Sequence, residues 1–113
     1  MRVISGVPII NLAKHRGDDA QKAQGLVDSP VNLSSILRSN GAVTQESIFQ
    51  AVNVLLKVAE GYEYAYVNCP IYLVMPLTDA LLEAGITPVY SIQQLRYAGQ
   101  PREHIQFVAH DYF

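Results

Sequence analysis

Residues 64–91 constrain this chain most. Tyr-Ala-Tyr-Val is followed by Asn68-Cys69-Pro70, then a leucine-rich run, then Gly85 and a second apolar run, Ile-Thr-Pro-Val-Tyr-Ser. Read in order, this is strand, polar turn, helix, strand. Two strands joined through a helix pair in parallel, and an open α/β sheet binds ligands where its strands hand over to helices. The turn at 68–70 lies at such a handover.

The flanking chain repeats the pattern. Residues 7–12 are branched and apolar, a short strand buried on both faces with Pro8 at its start and residues 2–5 as an extension. Ala13-Lys-His-Arg-Gly17 is its polar exit. Asp18 suits the N-cap of a short surface helix over 19–24, stopped by Gly25, and residues 26–28 form a very short strand. A weak helical pattern covers 31–37, ended by Ser39-Asn40-Gly41. Thr44 suits the cap of the clearest helix, 45–59, whose stripe is Ile48, Phe49, Ala51, Val52, Leu55, Leu56 and Ala59. Pro76 removes a helical hydrogen bond, so the regular helix after the turn is expected to begin near residue 76 and end at Gly85, with 71–75 as a turn or kinked segment. A strand over 86–92 follows, then a polar connection. Residues 104–109 alternate, placing Ile105, Phe107 and Ala109 on one face of an antiparallel edge strand.

The fold class that follows is α/β. It is a three-layer Rossmann-like sandwich with a mainly parallel sheet of four or five strands and an antiparallel C-terminal edge strand, in one domain over residues 1–113. A net charge of −2 and no polybasic run argue against duplex nucleic acid and membrane surfaces as partners. No apolar run approaches a transmembrane span and no signal peptide is evident, which makes the cytoplasm the default location. One cysteine excludes an intramolecular disulfide and any multi-cysteine metal site.

The strand ends supply the candidate site: Asn11, Lys14, His15 and Arg16 from the first strand, Asn68 and Cys69 from the central turn, and Ser91 from the strand after it. Cations, amides and a hydroxyl beside a helix start suit an anion such as a phosphate. Lys14-His15-Arg16 suits a solvated turn as well, and no P-loop or dinucleotide fingerprint is present. Cys69 is either a nucleophile paired with His15 or a packing residue under Pro70. His104 and His110, six apart on the last strand with Asp111 adjacent, lack a third metal ligand at suitable spacing, so no metal is expected, and a surface or interface role fits both better. No cofactor is implied. Of the seven tyrosines, most suit the core or an interface, while Tyr72 could stack on a base.

Asn11-Leu12-x-x-His15, Gln21, Gly25-Leu-Val-Asp28, Pro70, Met75-Pro76-Leu77, Gly85-Ile-x-Pro88-x-Tyr90-Ser91 and the ending Phe107-x-x-His110 together resemble a group of small bacterial and phage proteins of unassigned activity. More loosely, the chain resembles the single-domain CARF-like proteins encoded with CRISPR systems. Ala13 and Lys14 depart from that pattern, as does Asn68-Cys69 where glycines are usual. The looser resemblance implies a homodimer that binds a cyclic oligoadenylate or another nucleotide across the strand ends, as a sponge or a slow metal-independent phosphodiesterase. The alternative is a noncatalytic phage or plasmid accessory protein that binds a host protein, and a third reading is a thiol enzyme using Cys69.

Overall fold

The computed structural model describes residues 2–37, 42–94 and 103–109. In chain order the elements are β1 (Arg2–Ile4), β2 (Ile9–Asn11), α1 (Asp19–Ala23), β3 (Leu26–Val27), α2 (Ser34–Leu37), α3 (Gln45–Ala59), β4 (Tyr64–Tyr66), α4 (Ile71–Glu83), β5 (Thr87–Gln94) and β6 (Glu103–Ala109). The strands form one mixed sheet in the order β1-β6-β5-β4-β2-β3. β5, β4, β2 and β3 run parallel, and β6 and β1 add an antiparallel margin. The architecture is α/β, as the alternation of strand and helix patterns predicts.

The C-terminal strand is not the edge, however. Arg2–Ile4 pairs outside it, with Ile4 opposite Phe107. Residues 2–5 therefore do not prolong β2. Gly6 turns the chain with φ +75, and Pro8 has no N–H to offer a ladder, so the two segments part and reach opposite sides of the sheet. The connections at 38–41 and 95–102, with Arg96 and Arg102, lie outside the described residues, as do His110 and Asp111.

Each sheet face carries its own core. On one face Ile10, Leu12, Ala65 and Val67 meet Leu33 and Leu37, then Val52, Leu55 and Ala59 of α3 and Leu73, Leu77 and Leu81 of α4. On the other, Ile4, Ile9, Leu26, Tyr64, Tyr66, Val89 and Phe107 cluster. The alternation of strand side chains produces this division: Ile9 and Tyr64 point one way, Ile10 and Ala65 the other. Thr44 begins α3 as expected. Its Oγ1 accepts from the Ser47 N–H at 3.0 Å, and Ser47 Oγ accepts from the Thr44 N–H at 2.9 Å.

The start of α4 differs from expectation. The helix runs from Ile71 with Pro76 inside it. Leu73, Leu77 and Leu81 recur at four-residue spacing and are essentially fully buried against α3 and the sheet. Burying three leucines is worth about 5–9 kcal/mol. An interior proline costs about 3 kcal/mol. The apolar stripe therefore carries the helix through the proline. Phe49 also departs from expectation: it belongs to the apolar stripe of α3, yet it is 66% exposed.

Candidate functional site

The two connections that flank β2 take opposite faces of the sheet. The connection through α1 to β3 lies on the Tyr66–Phe107 face, where Gln24 reaches His104 on β6. The return from β3 to β4, on the far side of β2, passes through α2 and α3 on the opposite face. The carboxyl ends of β2 and β4 thus diverge at a topological switch point, the position where open α/β sheets form crevices.

Two clefts open there. The larger, about 310 Å³, lies between the ends of β2 and β3 and is lined by Asn11, Lys14, His15, Arg16 and the segment 28–33. The smaller, about 170 Å³, lies between the ends of β2 and β4 and is lined by Lys14, His15, Asn68, Cys69 and Pro70, with Ala13 and Leu37. They share Ala13, Lys14 and His15 as a common wall. Six of the seven sequence-nominated residues line these clefts. Ser91 lines neither.

Asn11 and Asp28 build the larger cleft. Asn11 is buried, and its side chain is consumed by the fold. Its Nδ2 donates to the His15 carbonyl at 2.9 Å and to Asp28 Oδ1 at 3.3 Å, and its Oδ1 accepts from the Ala13 N–H at 2.9 Å. The polar strand exit is thereby wound into a fixed loop with Lys14 and His15 on its outside. Asp28, at the end of β3, accepts from the Gly17 N–H at 2.8 Å and pairs with Arg16 at 3.4 Å and Lys22 at 3.2 Å. The Gly17 N–H, aided by Asn11 and Lys22 and opposed by burial, holds its carboxyl down at about 2. Asp28 was not among the nominated residues, although its place mirrors that of Asn11: a polar residue closing a short apolar strand.

At the smaller cleft, α4 begins after Pro70 with no side-chain cap on its first turn. The Leu73 N–H donates to the Pro70 carbonyl at 2.9 Å, and the Ile71 and Tyr72 N–H groups ahead of it have no carbonyl one turn back, as at any helix start. Cys69 beside it is half-buried, and burial pushes its thiol up to about 11. The helix start therefore does not produce a thiolate here, and packing is the role the structure favours for Cys69. Tyr72 packs half-buried against the helical core.

Ser91 points to the other face and meets a residue that the sequence pattern misplaced. The β5–β6 register shifts between Ile92 and Gln93, so that Ile92 pairs with Gln106 while Gln93 pairs with His104. The extra residue in β6 breaks the alternation. Ile105 turns outward, and His104 becomes buried against Phe107, with ring centroids 4.4 Å apart. His104 is thus neither a surface residue nor on the face opposite Phe107. Ser91 Oγ lies 2.5 Å from His104 Nδ1, and His104 Nε2 lies 2.9 Å from Gln24 Oε1. Burial pushes the imidazole pKa down, with the Asp18 carboxylate opposing.

The chain matches no family model, no curated protein and no solved structure.

Among the described residues no three His, Cys, Asp or Glu side chains converge as a metal site, and no helix is long and apolar enough to cross a membrane. The clefts offer instead exposed cationic side chains on a rigid loop, beside an uncapped helix start.

Proposed function

We propose that this chain is a small nucleotide-binding protein of Rossmann-like design that holds a phosphate at the switch point between β2 and β4. One observation carries the reading: Lys14 and His15 form the wall shared by both clefts, one of which also contains the residues leading into α4. A phosphate in the smaller cleft gains charge-assisted hydrogen bonds from the loop and partial positive charge from the helix start. The larger cleft, at the low end of the size range of small-molecule sites, takes the sugar and base of one nucleotide unit. A cyclic oligoadenylate is larger than one such cleft, so its recognition would pair two copies of the chain across a twofold axis. In that assembly the protein acts as a sponge, or opens the ring by aligning a ribose 2′-hydroxyl on its phosphate and stabilising the developing charge.

The test is thermal stabilisation of the full chain by cyclic oligoadenylates and by mononucleotides. A ligand at a hundredfold excess over its Kd adds about 2.7 kcal/mol. The stabilisation should be lost in His15→Ala. An absence of any shift across the nucleotide panel removes the proposal.

A second reading rests on a separate feature. Ile48, Phe49, Val52 and Leu56 of α3 and Pro76 and Ala80 of α4 line an apolar groove of about 390 Å³. Exposed apolar surface of this kind favours an accessory protein that binds another protein. A single stoichiometric protein partner, released by Phe49→Asp and found alongside an empty nucleotide panel, would select it.

A further inference from the structure

The trio Ser91, His104 and Gln24 has a defined protonation pattern. Gln24 Nε2 donates to the Ile105 carbonyl at 2.8 Å, which fixes its amide orientation and leaves Oε1 as the acceptor facing His104. An acceptor there requires His104 Nε2 to carry its hydrogen. A neutral imidazole has one hydrogen, so Nδ1 is bare and accepts from the Ser91 hydroxyl. Serine, neutral base and orienting group therefore stand in the relation that activates a hydroxyl nucleophile. The surroundings are suited to such a step. Tyr66, buried on the same face of the sheet, sets its ring edge-on to Phe107 with centroids 5.3 Å apart. Ser91 is half-buried, at the point of β5 where the next residues, Ile92, Gln93 and Gln94, become exposed.

We propose that Ser91 is a nucleophile toward the acyl group of a carboxylic ester, with His104 as its base and Gln24 as the residue that positions the base. In the first step Ser91 Oγ bonds to the acyl carbon, its proton passes to His104 Nδ1, and the ester C–O bond breaks. His104 then delivers that proton to the departing alkoxide. Water attacks the acyl-serine, gives up a proton through His104, releases the carboxylic acid and restores the Ser91 hydroxyl. The step is independent of the cationic clefts and of nucleotide binding.

A fluorophosphonate reports the same chemistry: Ser91 Oγ bonds to phosphorus, fluoride leaves and His104 takes the proton. The full chain is incubated with this probe, and separately with p-nitrophenyl acetate, and the adduct is located by peptide mass spectrometry. One adduct on Ser91 and release of p-nitrophenol are expected, and both disappear in Ser91→Ala. His104→Gln, checked for folding by its melting curve, should label about 100-fold more slowly. Gln24→Glu should move the acid limb of the labelling profile to higher pH, because a carboxylate at that point stabilises the imidazolium; a merely structural Gln24 leaves the limb in place. Unmodified Ser91 after prolonged incubation of the wild-type chain overturns the proposal, and so does equal labelling in folded His104→Gln. In either case the trio only clasps the end of α1 to β6.

Discussion

Asp28→Asn tests whether the cationic strand exit is held by one carboxylate. The replacement keeps the shape and leaves an amide oxygen for the Gly17 N–H and Asn11 Nδ2. It removes the charge that faces Arg16 at 3.4 Å and Lys22 at 3.2 Å. In the folded chain the carboxyl is held down from 3.8 to about 2. At about 1.4 kcal/mol per pKa unit, the ionised form contributes about 2 kcal/mol of stability at pH 7. Because the folded pKa is depressed, this contribution is complete above the unfolded value near 4 and lost as pH falls through about 2; near pH 3 about half remains. For a chain of 113 residues, a loss of about 2 kcal/mol lowers the melting temperature by about 8 °C. The assay is calorimetric melting of wild type and Asp28→Asn at pH 7, 5, 4 and 3. The gap between them should be widest at pH 7 and narrow below pH 4. Melting temperatures within about 2 °C at pH 7, or a gap independent of pH, refute the assignment.

Three further outcomes are expected. With its thiol pushed up to about 11, Cys69 should react with iodoacetamide at pH 8 about 100-fold more slowly than a thiol at the ordinary value of 9.0; rapid alkylation contradicts the packing role. Gly25→Ala should cost at least about 2 kcal/mol in urea unfolding, because φ is +115 and a Cβ there would come 2.1 Å from the Val7 carbonyl oxygen; a neutral result contradicts the close approach between β2 and β3. Pro76→Ala should stabilise the chain by about 2 kcal/mol by restoring the N–H that a residue there would offer α4, and loss of stability would show that the pyrrolidine ring packs better than the missing bond costs.

The parallel centre of the sheet was legible because its strands are short unbroken apolar runs bounded by polar turns. Ile9-Ile10-Asn11 and Tyr-Ala-Tyr-Val are buried on both faces as their composition suggests, whereas Val7 and Pro8, read as part of the first run, are exposed ahead of it. α3 was legible from its cap and stripe. Three features were not, and each depends on contacts distant in sequence. Arg2–Ile4 finds its partner at Phe107–Ala109, across almost the whole chain. Pro76 stays helical because Leu73, Leu77 and Leu81 have a core to enter, which local propensity does not register. The extra residue in β6 reverses Ile105 and His104, and a strict period of two cannot show it.

The candidate site divides along the same line. Lys14, His15, Asn68 and Cys69 share a cleft because two parallel strands end side by side, and the alternation of elements contains that information. Asn11 was rightly placed at the strand end, but its atoms serve the loop. Ser91 was nominated for its position on a strand, whereas its partner depends on the bulge.

The most direct test of nucleotide binding at the switch point is isothermal titration of the full chain with a cyclic oligoadenylate, repeated with the Lys14→Ala/His15→Ala double variant. Saturable binding of one ring per two chains is expected, with affinity reduced at least about tenfold in the variant, as the loss of a charge-assisted hydrogen bond implies. No saturable heat up to about 1 mM ligand, a limit that corresponds to about 4 kcal/mol of binding free energy, contradicts the proposed site, and so does equal affinity in the double variant.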